Sequence, residues 1–241
     1  MSASRLRVAV VDDHSLFAES LAIALRVRDI DARTVIPDPS STFAQLGRAI
    51  VKTQPHLVLL DLDLGVAGDG MRLVSGLAGG GISVVIVTGS PDRVHQGEAL
   101  AHGARAVIEK SAPFTEIVAA VERVRNRLPI MPRKERDQLL ADYRAAEEDS
   151  RDLRRRFASL TRREAEVLTQ LMAGRQVTEI ARLRFVSEST VRTQVKSVLA
   201  KLGVSSQLTA VGLAHQARWQ PPSDGTAATG LGQRPALPAA G

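Results

Sequence analysis

The 241-residue sequence contains no cysteine. Disulfides and thiolate metal sites are therefore excluded, and a reducing compartment is expected. No apolar run approaches the roughly 18 residues that span a bilayer, and the first residues lack the apolar core of a signal peptide. The expectation is a soluble cytoplasmic protein with no membrane partner. Residues 1–127 also lack net charge, with 14 Lys/Arg against 14 Asp/Glu. The overall excess of +6 lies downstream, with 8 basic and 7 acidic residues in 128–156, 9 and 4 in 157–220, and one of each in the tail. A nucleic-acid contact surface needs such a concentration of positive charge, although a solvated basic face would show it too. The length suits one large or two small domains.

What is present is a series of apolar runs that end in polar groups. Leu57-Val58-Leu59-Leu60 stops at Asp61, Leu6 to Val11 at Asp12-Asp13, Ile82 to Val87 at Thr88, and Ala106 to Glu109 at Lys110. Runs of this kind read as buried parallel strands, which deliver their last residues to one edge of the sheet. Any single strand-end Asp is more simply a turn or cap residue. Five such residues converging on one rim are a site. Asp12, Asp13 and Asp61 would repel one another, so a divalent cation is the natural neutraliser, and an all-oxygen, partly hydrated set suits Mg²⁺. Thr88 and Lys110 are then placed to hold a phosphoryl group on Asp61, because carboxylates form aspartyl-phosphates.

Helical patterns separate these strands. They cover Ser15 to Val27, Ser40 to Thr53 from a Ser cap, Met71 to Leu77, Asp92 to His102 and Phe114 to Leu128, and a further short strand covers Asp31 to Ile36. Five β/α units predict a doubly wound, five-stranded parallel sheet of the flavodoxin-like kind over residues 1–128.

Asp12-Asp13, Asp61, Thr88-Gly89 and Lys110-Ser111 are spaced as in a response-regulator receiver domain, and Val11-Asp12-Asp13-His14-Ser15-Leu16-Phe17 resembles its NarL/FixJ branch. The resemblance covers residues 5 to 127. It implies that Asp61 accepts phosphate from a sensor histidine kinase. It also implies that Asp12, Asp13 and Asp61, with the backbone carbonyl of Asp63, hold Mg²⁺, and that Thr88 and Lys110 bind the phosphoryl oxygens. Two departures stand out. Leu64-Gly65 replaces a common Met-Pro, with an apparent extra residue before Asp69-Gly70, and Val107 stands where many receivers carry a switch Tyr or Phe. The resemblance therefore brings no aromatic relay to this chain.

Residues 129–156 form a charged stretch read as a helical linker. Leu139, Tyr143, Ala146, Ser150, Leu153 and Phe157 recur at alternating steps of four and three. Such a stripe either zips two linkers together in a homodimer or belongs to a solvated spacer.

In residues 157–220, Thr161 and Glu164 form a capping box ahead of Ala165, Val167, Leu168 and Leu171, and a stop falls at Gly174. A short helix, Val177 to Leu183, precedes a longer one from Ser187 whose Val191, Val195, Val198 and Leu202 face inward and which closes at Gly203. Two helices joined by a tight turn, the second with Arg192 and Lys196 four apart, predict an all-α helix-turn-helix domain. Leu160-Thr161-Arg162-Arg163-Glu164, Gly174, Glu179-Ile180-Ala181, Thr190-Val191 and Lys201-Leu202-Gly203-Val204 resemble the LuxR-type DNA-binding domain. The resemblance implies that Arg192, Thr193 and Lys196 enter the major groove of double-stranded DNA, that Thr190 meets phosphates, and that the last helix, Ser206 to His215, pairs two copies. Gln194 replaces a common His, and Gln207 a common Arg. Residues 221–241, rich in Pro, Gly and Ala, read as a disordered tail.

These readings predict a phosphorylation-controlled, non-enzymatic transcriptional regulator that binds DNA as a dimer. Two alternatives stay open on the residues alone. One is a constitutive or ligand-gated regulator without phosphorylation. The other is a haloacid-dehalogenase-like phosphatase using the Asp61-Leu62-Asp63 pair; against it, the acidic pair precedes Asp61 and no cap domain follows.

Overall fold

The computed structural model describes residues 5–65, 68–126 and 128–221. The chain divides into two compact units, residues 1–146 and 147–241. The expected tail at 221–241 lies outside the described residues from 222 onward, as do residues 66 and 67 of the loop after Asp61.

The first unit is built on β1 (Arg7–Val11), β2 (Asp31–Val35), β3 (Leu57–Leu60), β4 (Ser83–Thr88) and β5 (Ala106–Glu109), all parallel in the order β2-β1-β3-β4-β5. Every residue of β3 is buried, as its uninterrupted apolar run requires of a central strand covered on both faces. Alternation along the strands separates two cores. Val8, Val10, Leu57, Leu59, Val85 and Val87 pack with α1 (Ser15–Val27) and α5 (Phe114–Arg125). Ala9, Val11, Val58, Leu60, Val84 and Ile86 pack with α2 (Phe43–Lys52), α3 (Met71–Gly79) and α4 (Arg93–Ala101). The chain order reverses between β1 and β3, so the crevice at their carboxyl ends, where such sheets bind ligands, is bounded by Asp12, Asp13 and Asp61.

Helix ends follow local chemistry, with three differences from expectation. The cap of α2 is Thr42, which forms a capping box with Gln45. Ser40 is drawn into a turn instead, its N–H and hydroxyl donating to Asp38 Oδ1 at 2.8 and 2.7 Å. Helix α3 runs on to Gly79, and the chain turns at Gly81 in the left-handed region. Helix α5 stops at Arg125, where the Leu128 N–H reaches back to the Arg123 carbonyl at 2.8 Å.

Helix α6 spans Arg133–Ala158, and the division between the units falls inside it, after Ala146. Its first half is not a free-standing spacer. Leu139 is 2% exposed within the core of α2, α3 and α4. Burial of a leucine to that degree is worth about 1.5–3 kcal/mol. Asp142 accepts from Arg93 of α4 at 2.9 Å, and Arg136 donates to the carbonyls of Ala104 and Arg105 at 3.3 and 3.1 Å. The helices approach so closely that a Cβ at Gly97 would collide with the Leu139 carbonyl and stand 2.9 Å from Tyr143 Cβ. At the other end of the stripe, Phe157 is buried in the second unit, stacked on Trp219 at 5.5 Å. Both ends of the heptad-like stripe are thus occupied within one chain, which corrects the picture of a stripe free along its length to zip onto a second copy.

The second unit adds α7 (Arg162–Met172), α8 (Val177–Leu183), α9 (Glu188–Leu202) and α10 (Gln207–Gln216). Thr161 caps α7 in a box with Glu164, Ser187 caps α9, and Gly203 closes α9 in the left-handed conformation. Leu168, Val198, Leu202, Ala210 and Ala214 form one part of its core, and Val167, Ile180, Val191 and Val195 the other. No single helix among the described residues is long and apolar enough to cross a membrane.

Candidate phosphoryl-accepting pocket and nucleic-acid interface

At the carboxyl edge of the sheet, strand register fixes the acidic groups before side chains contribute. The Asp61 N–H donates to the Val11 carbonyl at 2.9 Å, locking the end of β3 to that of β1. Thr88 pairs with Glu109, and the Lys110 N–H donates to the Thr88 carbonyl at 2.8 Å, locking β5 to β4. Ligand atoms of Asp12, Asp13, His14 and Asp61 lie within 4.8 Å of one another. Asp12 and Asp61 are each 2% exposed and Thr88 is fully buried. Lys110 Nζ bridges the pair, 2.9 Å from Asp12 Oδ1 and 2.6 Å from Asp61 Oδ2, and stands 5.3 Å from the centre of the Phe17 ring.

The charge balance is unequal. Burial pushes Asp61 up to about 6, with Asp12 adding to the rise and Lys110 opposing it. Lys110 is desolvated as well, yet its bonds to Asp12 and Asp61 hold its ammonium above the ordinary lysine value. One ammonium does not neutralise Asp12, Asp13 and Asp61, and a small cation with oxygen preference fits the deficit. Asp63 is joined to the cluster by its backbone: its N–H donates to Asp61 Oδ1 at 3.2 Å, while its own carboxylate turns away to accept the Gly65 N–H at 3.1 Å. The Thr88 hydroxyl accepts the Ser90 N–H at 3.1 Å, and the Ser90 carbonyl in turn accepts from the buried Gln96 of α4 at 2.9 Å.

Sequence reasoning missed four residues around this site. His14 Nδ1 lies 2.7 Å from Asp13 Oδ1, and its N–H donates to Asp12 Oδ1 at 2.8 Å; the run Asp12-Asp13-His14 was the available signal. Asp69 and His95 pair at 3.3 Å. That bond raises His95 and, against burial, lowers Asp69. Gln96 carried no local signal at all.

In the second unit, α9 turns Val191, Val195, Val198 and Leu202 into the core and leaves Thr190, Arg192, Thr193 and Lys196 exposed. At about 100° per residue, Arg192 and Lys196 lie about 40° apart on one face. Arg192 pairs with Glu188 at 3.1 Å, Thr193 donates to the Ser189 carbonyl at 3.0 Å, and the Thr190 hydroxyl meets that of Ser187 at 2.8 Å. The back of α9 is fastened to α7 by Glu164, which accepts from Ser197 at 2.5 Å and Lys201 at 2.7 Å. Although burial opposes it, these bonds and the Thr161 N–H pull Glu164 down to about 2. The sequence showed only the capping role of Glu164, because Lys201 lies 37 positions away.

Residues 8–122 match the model of the response regulator receiver domain, and residues 158–214 that of the bacterial regulatory proteins of the luxR family. The chain is 28% identical over 208 residues to an uncharacterised transcriptional regulatory protein, YhcZ, of Bacillus subtilis, covering 84% of this chain and 92% of that one. It is 23% identical to the oxygen regulatory protein NreC of Staphylococcus carnosus, covering 84% and 93%. Among solved structures it resembles the RcsB response regulator of Salmonella typhimurium at 20% identity and a TM-score of 0.49, covering 89% of this chain and 100% of that one.

Proposed function

Because the chain belongs to the response regulators that join a receiver domain to a LuxR-type DNA-binding domain, a family of transcriptional regulators and not of enzymes, we propose that phosphorylation of Asp61 controls its binding to DNA. A sensor histidine kinase in the cytoplasm is the donor: an Asp61 carboxylate oxygen attacks the phosphorus, the P–N bond of the phosphohistidine breaks, and an aspartyl-phosphate forms. The observation that carries this reading is the Lys110 ammonium held between Asp12 and Asp61 at the switch point of the sheet. Asp12, Asp13, Asp61 and the backbone carbonyl of Asp63 would hold Mg²⁺, which when bound neutralises charge on the transferring group. Lys110 and Thr88 hold the phosphoryl oxygens.

Downstream, Arg192, Thr193 and Lys196 read the major groove, with Thr190 on a phosphate, and two copies pair through α10. The exposed face of α10 supports that pairing: Leu208 is 83% exposed, and the neighbouring Gly212 has open space above it. The bounds that suit these roles are a receiver at 1–128, a linker at 129–156 and a DNA-binding domain at 157–220. Incubation with acetyl phosphate and Mg²⁺ tests the reading. One retained phosphoryl group is expected on the parent and none on Asp61→Asn, whose amide is too weak a nucleophile. An equal adduct on the variant would remove Asp61 from its role, and turnover of a phosphate ester would favour the phosphatase reading.

A further inference from the structure

The turn between α8 and α9 carries an aromatic ring that the second unit does not use. Phe185 is 96% exposed, and Leu183 and Val186 beside it are 53% and 39% exposed. The Phe185 backbone is left-handed, φ 54°, and ends α8 with its N–H on the Arg182 carbonyl at 3.3 Å and the Val186 N–H on the Ala181 carbonyl at 3.0 Å. Glycine relaxes into this geometry, whereas a bulky side chain is strained there. An exposed phenyl on a strained backbone weakens the fold twice over. Such an outlier points to a use outside the fold.

Its position says which use. Arg184 fastens the turn in place, donating to the Arg163 carbonyl, to Glu166 at 2.8 Å and to Gln194 of α9 at 3.0 Å. Gln194 lies about 40° around α9 from Thr190, and Thr190 about 60° from Thr193. The turn is therefore held beside the flank of α9 that borders its exposed polar face. Phe185 also stands two residues before Ser187, the cap of α9, and the first residues of a recognition helix are the ones that meet base edges. The one apolar group that bases present in the major groove is the thymine methyl, and phenylalanine is a side chain that reads it.

We infer that Phe185 is a specificity-determining residue, its ring packing on a thymine methyl at the edge of the site read by α9. The inference rests on the DNA-binding reading of α9. It adds an apolar contact to a set that was otherwise cationic and hydroxylic.

The test uses the full-length protein phosphorylated with acetyl phosphate and Mg²⁺, and a duplex that it selects in that state from a random library. Phe185→Gly and Phe185→Asn, both tolerant of left-handed backbone, are expected to unfold no earlier than the parent, yet to bind the selected duplex about 5- to 30-fold more weakly. The salt slope should be unchanged, because an apolar contact releases no counterions. Replacing a single thymine by deoxyuridine removes only the methyl. At one position it should weaken the parent by a similar factor and leave both variants indifferent. Undiminished binding by the variants would overturn the inference and hand the ring to a protein partner. Equal losses on selected and scrambled duplexes, or a parent insensitive to deoxyuridine everywhere, would overturn it too. Arg192→Ala separates this failure from a broader one: if it weakens binding while the Phe185 variants do not, only Phe185 loses its role. A parent that selects no duplex removes the DNA reading of α9 itself.

Discussion

Each unit buries carboxylates against a lysine, with opposite results. In the first, Asp12 and Asp61 share Lys110 with Asp13 close by, and Asp61 rises to about 6. In the second, Glu164 has Lys201, Ser197 and the Thr161 N–H to itself and falls to about 2. Burial weighs most on Asp61 and prevails over its one shared lysine, whereas at Glu164 the bonds from Lys201, Ser197 and Thr161 outweigh it. The difference therefore lies in desolvation set against the count of partners. Where donors match charge, a buried carboxylate is a fastening between α7 and α9. Where carboxylates outnumber cations, the fold holds unbalanced charge and waits for a ligand to balance it.

The contrast predicts stability changes of opposite sign. Glu164→Ala strips Lys201, Ser197 and the Thr161 N–H of a carboxylate acceptor, although the Thr161 hydroxyl still caps α7, so it should destabilise the second unit by about 2–4 kcal/mol in denaturant unfolding. Asp61→Asn removes surplus charge and, with a chelator present, should stabilise the first unit by about 1–3 kcal/mol. A destabilising Asp61→Asn would mean that Lys110 had satisfied the pocket.

The two carboxylates also predict opposite pH dependences. Asp61 in the folded chain titrates at about 6, above its ordinary 3.8. Its ionisation therefore subtracts stability, starting as pH rises past 3.8 and complete above 6. Glu164 titrates at about 2, below its ordinary 4.5. Its contribution is whole above 4.5 and is lost as pH falls towards 2. Amide hydrogen exchange in Mg²⁺-free buffer, followed separately for β3 and α7 between pH 4 and 7, should show protection of β3 decreasing relative to α7 once intrinsic exchange rates are divided out. Parallel trends would erase the distinction.

A smaller effect is expected at the seat of α6. Gly97→Ala forces a methyl into the Leu139 carbonyl, and α6 must lift from α4, at a cost of about 1–3 kcal/mol. Exchange at residues 136–143 should speed up while β3 keeps its protection. Unchanged exchange there would show that the contact yields without loss.

How much of this was legible depended on the range of the interaction. Strand ends, the Thr161 and Ser187 caps and the Gly203 stop were readable because periodicity and capping act within a few residues. The convergence of Asp12, Asp13, Asp61 and Lys110 was readable too, since parallel strands bring their ends to one edge. The stripe from Leu139 to Phe157 was visible as apolar, but a period does not say what covers it; Leu139 goes to the first unit's core and Phe157 to Trp219. Arg184, which ties the turn to Glu166 and Gln194, carried no signal in the sequence, because its partners are set by packing between helices.

The first unit's acids outnumber their cations and the second unit's do not, and titrating the full chain with Mg²⁺ while recording amide NMR shifts distinguishes the two. Saturable shifts are predicted at Asp12, Asp13, Asp63 and Lys110, with the amides around Glu164, Ser197 and Lys201 unmoved. A pocket that does not respond to Mg²⁺, or an equal response around Glu164, would contradict the account.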